Sequence, residues 1–232
     1  STGLQGPEFQ FTLGPNHGGW DFKKSKFGVA NVNGDGYMDL IGLHQGPNNE
    51  IVRHVFKGSA SGIQTSDPNM VVWQFPSQGW LWSNIRITGG GDFNGDTYGD
   101  LSVVSVDPNG QSFNLWLYNG STNGLGSPIL QQSLGPNNGG WDFKKSKFTV
   151  TNVNRDAYMD LVVLHQGPDN EIVRNVLPGS PSGIGASASN MVAWQFPSQG
   201  WLWTNIRLAG GGGDFNGDGY DDIVAFSVFP DG

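Results

Sequence analysis

One stretch of this chain is written twice. The segment from Leu13 to Phe75, opening LGPNHGGWDFKKSKF, returns 121 residues later, from Leu134 to Phe196, as LGPNNGGWDFKKSKF. WQFPSQGWLW at Trp73–Trp82 returns unchanged at Trp194–Trp203. A chain built this way must place one supersecondary unit repeatedly, each copy burying a face of its neighbour. A weaker half-repeat lies inside the long one. Acidic loops centred on Asp35, Asp96, Asp156 and Asp218 stand 61, 60 and 62 residues apart, which divides the chain into four units of about sixty residues.

Each unit reads as four short strands. In the first they are Lys26 to Asn31, Asp39 to Leu43, Glu50 to Phe56 and Met70 to Phe75, carried by the runs VANV, DLIGL, IVRHVF and MVVWQF. These runs are rich in β-branched and aromatic residues and are bounded by Gly, Pro, Asn and Ser clusters, the signals of strands joined by tight turns. The composition fits: 37 Gly, 13 Pro, 14 Phe and 9 Trp, with only 14% charged residues, describe a turn-rich all-β protein packed by aromatics. A four-stranded antiparallel unit repeated radially is a blade, so the expected fold is an all-β propeller. A linear β-solenoid is the competing architecture, but its coils are much shorter than sixty residues.

The expected blades run over about 16–76, 77–137, 138–197 and 198–232 of a single propeller region, 1–232. GLQGPEFQFTLGPN at the start matches GLGSPILQQSLGPN at Gly124–Asn137, which makes the N-terminal strand, 1–15, the last strand of a blade. The fourth unit would still lack its third strand. Two readings stand: the four blades close on themselves, or they form part of a larger ring that a second chain can complete, because an open blade edge invites pairing.

The acidic loops have the form Asp/Asn-x-Asn-x-Asp-x-Tyr-x-Asp. They comprise Asn31, Asn33, Asp35, Tyr37 and Asp39; Asp92, Asn94, Asp96, Tyr98 and Asp100; Asn152, Asn154, Asp156, Tyr158 and Asp160; and Asp214, Asn216, Asp218, Tyr220 and Asp222. Calcium takes six to eight oxygens, and this spacing offers side-chain oxygens at positions 1, 3, 5 and 9 and the tyrosine carbonyl at position 7. Glycines at position 4 (Gly34, Gly95, Gly217) and position 6 (Gly36, Gly219) permit the tight turn. The loop has no acidic residue at position 12 and lies between strands, so it is not an EF-hand. Up to four structural calcium ions are expected. Carboxylate count ranks the second and fourth loops above the first and third, whose position 1 is Asn. The third is weakest, with Arg155 and Ala157 at the glycine positions; it reads equally as an empty Asx-type turn.

DFNGDGYDDIVAF and NVNGDGYMDLIGL, with GSASGI and GSPSGI, resemble the FG-GAP or VCBS repeats of calcium-binding propellers of the integrin α-chain type. The blades are also similar to those of the Psathyrella velutina lectin type, which carry a Gly-Trp segment, a basic residue, an acidic turn and an apolar strand. Here those segments are Gly19-Trp20, Gly79-Trp80, Gly140-Trp141 and Gly200-Trp201. The lectin resemblance implies seven blades and binding of N-acetylglucosamine or sialic acid between neighbouring blades. This chain departs from that pattern in having four units of two alternating types, and in the segment HQGPNNEIVRH.

Sugar sites need aromatic faces and fixed polar groups. Two duplicated segments qualify. One contains His44, Gln45, Asn48, Asn49, Glu50 and Arg53, repeated as His165, Gln166, Asp169, Asn170, Glu171 and Arg174; the other contains Trp80, Trp82, Asn84 and Arg86, repeated as Trp201, Trp203, Asn205 and Arg207. Duplication suits multivalent binding to glycans or glycoproteins. Trp20, Trp80, Trp141 and Trp201, at a fixed place in every blade, read as inter-blade packing more than as a sugar platform, and Trp82 and Trp203, two residues after Trp80 and Trp201, fall on the same face; the His-Gln-Gly-Pro loops read equally as plain solvated turns. Lys23, Lys24 and Lys26, with Lys144, Lys145 and Lys147, read as a solvated basic patch.

Other functions find little support. Net charge is −8 and no basic run could neutralise several phosphates, so nucleic acid is a poor partner. No stretch is apolar for long enough to cross a bilayer, and no charged-then-apolar leader opens the chain. Cysteine is absent. Few lysines and calcium-type loops suit a secreted or extracellular setting. No activated nucleophile or acid–base pair stands in a constellation of its own, so the chain reads as a carbohydrate-binding protein and not an enzyme. The alternatives are a non-catalytic module of a secreted enzyme and an integrin-like adhesion module.

Overall fold

The computed structural model describes residues 12, 20–46, 48, 50–64, 70–74, 82–106, 113–135, 142–167, 169, 171–187, 190–194 and 203–227. Their strands are β1 (Ser25–Ala30), β2 (Asp39–Gln45), β3 (Glu50–Phe56), β4 (Met70–Gln74), β5 (Ile85–Gly91), β6 (Asp100–Val106), β7 (Phe113–Tyr118) and β8 (Pro128–Leu134). They continue as β9 (Ser146–Thr151), β10 (Asp160–Gln166), β11 (Ile172–Leu177), β12 (Gly179–Ser180), β13 (Gly183–Ile184), β14 (Asn190–Trp194), β15 (Ile206–Gly213) and β16 (Asp222–Ser227). The structure is all-β. Among the described residues the helical pieces are three-residue 3-10 turns, one ahead of each of β1, β5, β9 and β15.

The strands form antiparallel sheets in chain order: β1-β2-β3-β4, then β5-β6-β7-β8, then β9-β10-β11-β14, and the pair β15-β16. We call these sheets 1 to 4. In sheet 3 the turn GSPSGI forms a ladder of its own, β12 with β13, before the last strand returns beside β11. The N-terminal strand expected over 1–15 lies outside the described residues.

Apolar runs without polar alternation become intelligible once both faces of a sheet are covered. In β6, Leu101 and Val103 join one core with Ala30, Ile41, Leu43, Ile51, Ile85 and Tyr118, while Val104 and Val106 join another with Phe113, Leu115, Val150, Leu161 and Val163. Successive strand side chains point to opposite faces, so DLSVVSV feeds two cores at once and all its residues are buried.

The first strands of consecutive sheets run side by side, β1 by β5, β5 by β9 and β9 by β15. Glycine permits that approach. A Cβ on Gly28 would meet Ile87 at 2.8 Å, and one on Gly90 would press on the Val29 carbonyl and stand 2.7 Å from the Ala30 Cβ. Backbone bonds then stitch sheet to sheet. The Gly99 N–H donates to the Asn31 carbonyl at 2.6 Å, Met159 to Asp92 at 2.8 Å and Asp221 to Asn152 at 3.3 Å. Ser121 and Ser180 donate likewise to the carbonyls of Val32 and Phe93.

Gly90→Ala should therefore separate sheets 1 and 2 locally and cost on the order of 1–3 kcal/mol of stability, the usual penalty of overpacking. Urea denaturation of the variant checks this; an unchanged midpoint would show that the close approach is not needed.

Candidate functional site

Both ends of each sheet carry candidate groups. The acidic loops lie between first and second strands, at the end where the third strand also finishes; the β2–β3 hairpins and the 3-10 turns lie at the opposite end.

The four acidic loops share one framework. The position-3 asparagine Oδ1 accepts the position-5 N–H, and the position-5 Oδ1 accepts the position-7 N–H, in Asn33/Asp35, Asn94/Asp96, Asn154/Asp156 and Asn216/Asp218 alike. Position 4 has positive φ in all four: Gly34 at 72°, Gly95 at 76°, Arg155 at 62° and Gly217 at 79°. Thr97, at position 6 of the second loop, also sits at 76°, a conformation costly for a β-branched residue.

Position 1 separates two classes. Asp92 accepts from Gly95, Asp96 and Thr97, and Asp214 from Gly217, Asp218 and Gly219. The backbone N–H groups of Gly219 and its neighbours hold the exposed Asp214 carboxyl below its ordinary range. Asn31 and Asn152 instead leave a buried Oδ1 with no hydrogen-bond partner. A buried oxygen without a donor is costly and suits a cation.

Position 9 faces away from the loop. Asp39 accepts from Val32 and Gly58, Asp100 from Phe93 and Gly120, and Asp160 from Val153 and Gly179, all between 2.9 and 3.1 Å. Asp222 accepts from Phe215. Each of the first three ties the loop's beginning to the turn after the third strand. Burial raises the Asp100 carboxyl to about 7, against the pull of those N–H bonds. Because these carboxylates turn inward, no three His, Cys, Asp or Glu side chains converge among the described residues. The oxygens available to a cation are those of positions 1, 3 and 5 and the backbone.

The Arg155 guanidinium, at position 4 of the third loop, lies over the Tyr220 ring of the next loop, 6.0 Å from the centroid. The glycines at this position meet the next loop's tyrosine too: a Cβ on Gly34 would stand 2.9 Å from Tyr98, and one on Gly95 2.5 Å from Tyr158. Position 4 is thus an inter-sheet contact, a role that loop spacing alone does not reveal.

At the hairpin end, the Glu50 carboxylate accepts the Asn48 N–H at 2.8 Å and the Glu171 carboxylate accepts the Asp169 N–H at 2.8 Å, which organises each turn from within. Asn48 and Asp169 are exposed; Gln45 and Gln166 are half-buried. Arg53 is buried and donates to the Gly126 carbonyl of sheet 2, so it braces two sheets. Arg174 is half-buried beside sheet 4, on the wall of a cavity of about 360 Å³ that Leu164, Ile172, Ile206 and Ile223 also line. The matching space between sheets 1 and 2 holds Tyr118 and Leu125, supplied by β7 and the turn after it. Asn49, Asn170, Trp80, Trp141 and Trp201 lie outside the described residues.

Trp82 and Trp203 are buried, each with an ammonium over its ring, Lys26 and Lys147 respectively, both at 4.9 Å. This corrects the reading of those two lysines as solvated. Burial, then Arg86, lowers the Lys26 pKa; burial, then Arg207 and Arg86, lowers that of Lys147. Lys23, Lys24, Lys144 and Lys145 are exposed as expected. Arg86 stacks on Phe143 at 4.0 Å and donates to the carbonyls of Phe143 and Ser146, spanning sheets 2 and 3.

No protein-family model and no curated protein matches this chain. Its structure is nevertheless similar to that of a lectin from Agrocybe aegerita, solved to explain specific recognition of non-reducing terminal N-acetylglucosamine, with a TM-score of 0.62 and 19% identity over 91% of this chain. This is a lectin-like fold. The chain spans 49% of that lectin's length.

Within this lectin-like fold the two hairpin clusters are not copies. Trp20 lies over Gly42 and packs on His44, His54 and Phe56, with ring centroids 4.7, 4.4 and 5.8 Å away. The His44 Nδ1 and both His54 nitrogens have no hydrogen-bond partner. In sheet 3 the place of His54 is taken by Asn175, whose amide donates to the His165 Nδ1 at 3.2 Å and whose oxygen accepts from Ser187. Sequence reading had no reason to single out His54, because it does not recur.

Burial, then the neighbouring His44, lowers the His54 pKa to about 4. Unfolded histidine protonates near pH 6.5, so between about 6.5 and 4 the unfolded state binds the extra proton and stability is lost as pH drops. Above that window the contribution is complete. The expected loss is on the order of 1–2 kcal/mol after allowance for solvent screening. His54→Asn, which copies sheet 3, should flatten this part of the curve in thermal melts from pH 7 to 4; an unaltered slope would contradict the assignment.

Proposed function

We propose that this chain is a calcium-stabilised carbohydrate-binding protein, a β-propeller lectin with repeated glycan sites at the hairpin end of its sheets. The observation that carries the reading is the fold it shares with a lectin, combined with polar hairpins that recur at corresponding places in sheets 1 and 3. Sheets that follow one another in sequence and space, first strand beside first strand with the same bonds repeated, support radial blades. The non-enzymatic reading rests on the same likeness.

Calcium would be held by the oxygens of positions 1, 3 and 5 and the position-7 carbonyl, with the position-9 aspartate as brace. When bound, it neutralises the loop carboxylates and fixes the turn against the strands. Asn31 and Asn152, with buried oxygens lacking donors, favour this filling even where carboxylates are fewer.

Calcium should raise the melting temperature and excess chelator should lower it. Asp92→Asn with Asp214→Asn should weaken binding roughly tenfold per lost carboxylate in calorimetric titration. A transition indifferent to both calcium and EDTA would end the metal reading.

On an array of N-acetylglucosamine-terminated and sialylated glycans the chain should give signal. Asn48→Ala combined with Asp169→Ala should reduce that signal about 10- to 100-fold through lost avidity. A folded protein silent on every glycan would point to the protein-binding adhesion module.

A further inference from the structure

The 121-residue repeat lets each surface be compared with its own copy. Between sheets 2 and 3, Phe143 and Val150 are 9% and 5% exposed, and a Cβ on Gly91 would meet the Met159 side chain at 2.7 Å. One repeat earlier, on the outer face of sheet 1, Phe22, Val29 and Met38 are 85%, 53% and 57% exposed. Tyr37, which corresponds to the Tyr158 packed on Gly95, is exposed as well.

Sheet 4 has the reciprocal deficit. Phe93 of sheet 2 is fully buried, whereas Phe215 is 70% exposed. Gly91 and Gly95 receive Met159 and Tyr158, but Gly213 and Gly217 have nothing within 4 Å. Arg86 stacks on Phe143 and binds two carbonyls of sheet 3, while Arg207 donates to the carbonyls of Thr204 and Ile206 in its own segment. The outer face of sheet 1 therefore carries the knobs that sheet 3 inserts into sheet 2, and sheet 4 carries the matching sockets.

We propose that sheet 1 of one copy of this chain docks on sheet 4 of a second copy as sheet 3 docks on sheet 2 within the chain, and that two copies make the contact in both directions. Phe22 then stacks on Arg207, Met38 lies on Gly213, Tyr37 covers Gly217, and the Met38 N–H donates to the Asp214 carbonyl. The contact is heterologous, one face against a different face, and two such contacts close a pair. One place departs from the template: sheet 3 has Val163 where sheet 1 has Gly42, and Trp20 already fills the hollow above that glycine. The contact accordingly rests on the residues around Trp20. An exposed apolar patch of this size on a protein with an internal mould for it has a ready occupant. This inference rests on the radial packing proposed above but not on the glycan, so silence on the array leaves it intact, and a monomeric protein that binds glycans would defeat it alone.

Sedimentation velocity should give the wild-type chain twice its monomer mass of 24.9 kDa. Val29→Glu and Phe215→Glu change residues exposed in the single chain, so circular dichroism should remain that of the parent while each variant sediments as a monomer. Mixing the two variants should restore a pair, because one supplies an intact sheet 4 and the other an intact sheet 1. A monomeric wild type, a larger assembly, a Phe215→Glu protein that still pairs, or a mixture that stays monomeric would each overturn the proposal.

Discussion

A buried aspartate at the end of each of the first three acidic loops holds the rest of the architecture in place. Asp39, Asp100 and Asp160 each accept one N–H from the start of the loop and one from the turn after the third strand, nineteen or twenty residues on. Those two donors would otherwise be buried without acceptors, at a cost of roughly 1–3 kcal/mol each. With the N–H groups tied inward, the loop's first two carbonyls face outward and accept the N–H groups of the next sheet. One side chain thus closes a sheet upon itself and presents the edge on which its neighbour docks.

The same economy explains how an oxygen-rich turn and inter-sheet packing share a loop. Position 5 is exposed, positions 1 and 3 lie beside it with oxygens that in Asn31 and Asn152 are buried, while position 9 serves the fold and position 4 of the first three loops meets the following sheet. Substitution at position 4 is tolerated in the third loop because the arginine finds the tyrosine that glycine would otherwise lie beneath. The local strain of positive φ is offset by an inter-sheet contact.

Repetition also makes differences informative. Sheets 1 and 3 share most of their sequence, yet Gly42, His54 and Phe56 replace Val163, Asn175 and Leu177, and the hollow is filled by Trp20. His54 is left with neither ring nitrogen partnered and its pKa is lowered to about 4, whereas sheet 3 keeps a single buried histidine, His165, partnered by Asn175 and also lowered by burial.

Strand positions in the first unit, the turns between strands and the glycines of the acidic loops were legible in the sequence, because alternation, β-branching and positive φ are local demands. The grouping into four-stranded sheets followed from the spacing of the loops, and the likeness to a lectin from the same motifs. The partners of each loop residue were not legible. That Asp100 turns inward, that Arg155 reaches Tyr220, that Lys26 covers Trp82 and that Arg53 binds Gly126 all depend on residues brought from another strand or sheet. The sequence by itself determined the repeating β unit and its oxygen-rich loops; only the tertiary structure decided which side chains face the sheet interior, a neighbouring sheet or solvent, because burial and hydrogen-bond partners are properties of the packed neighbours and not of the residue.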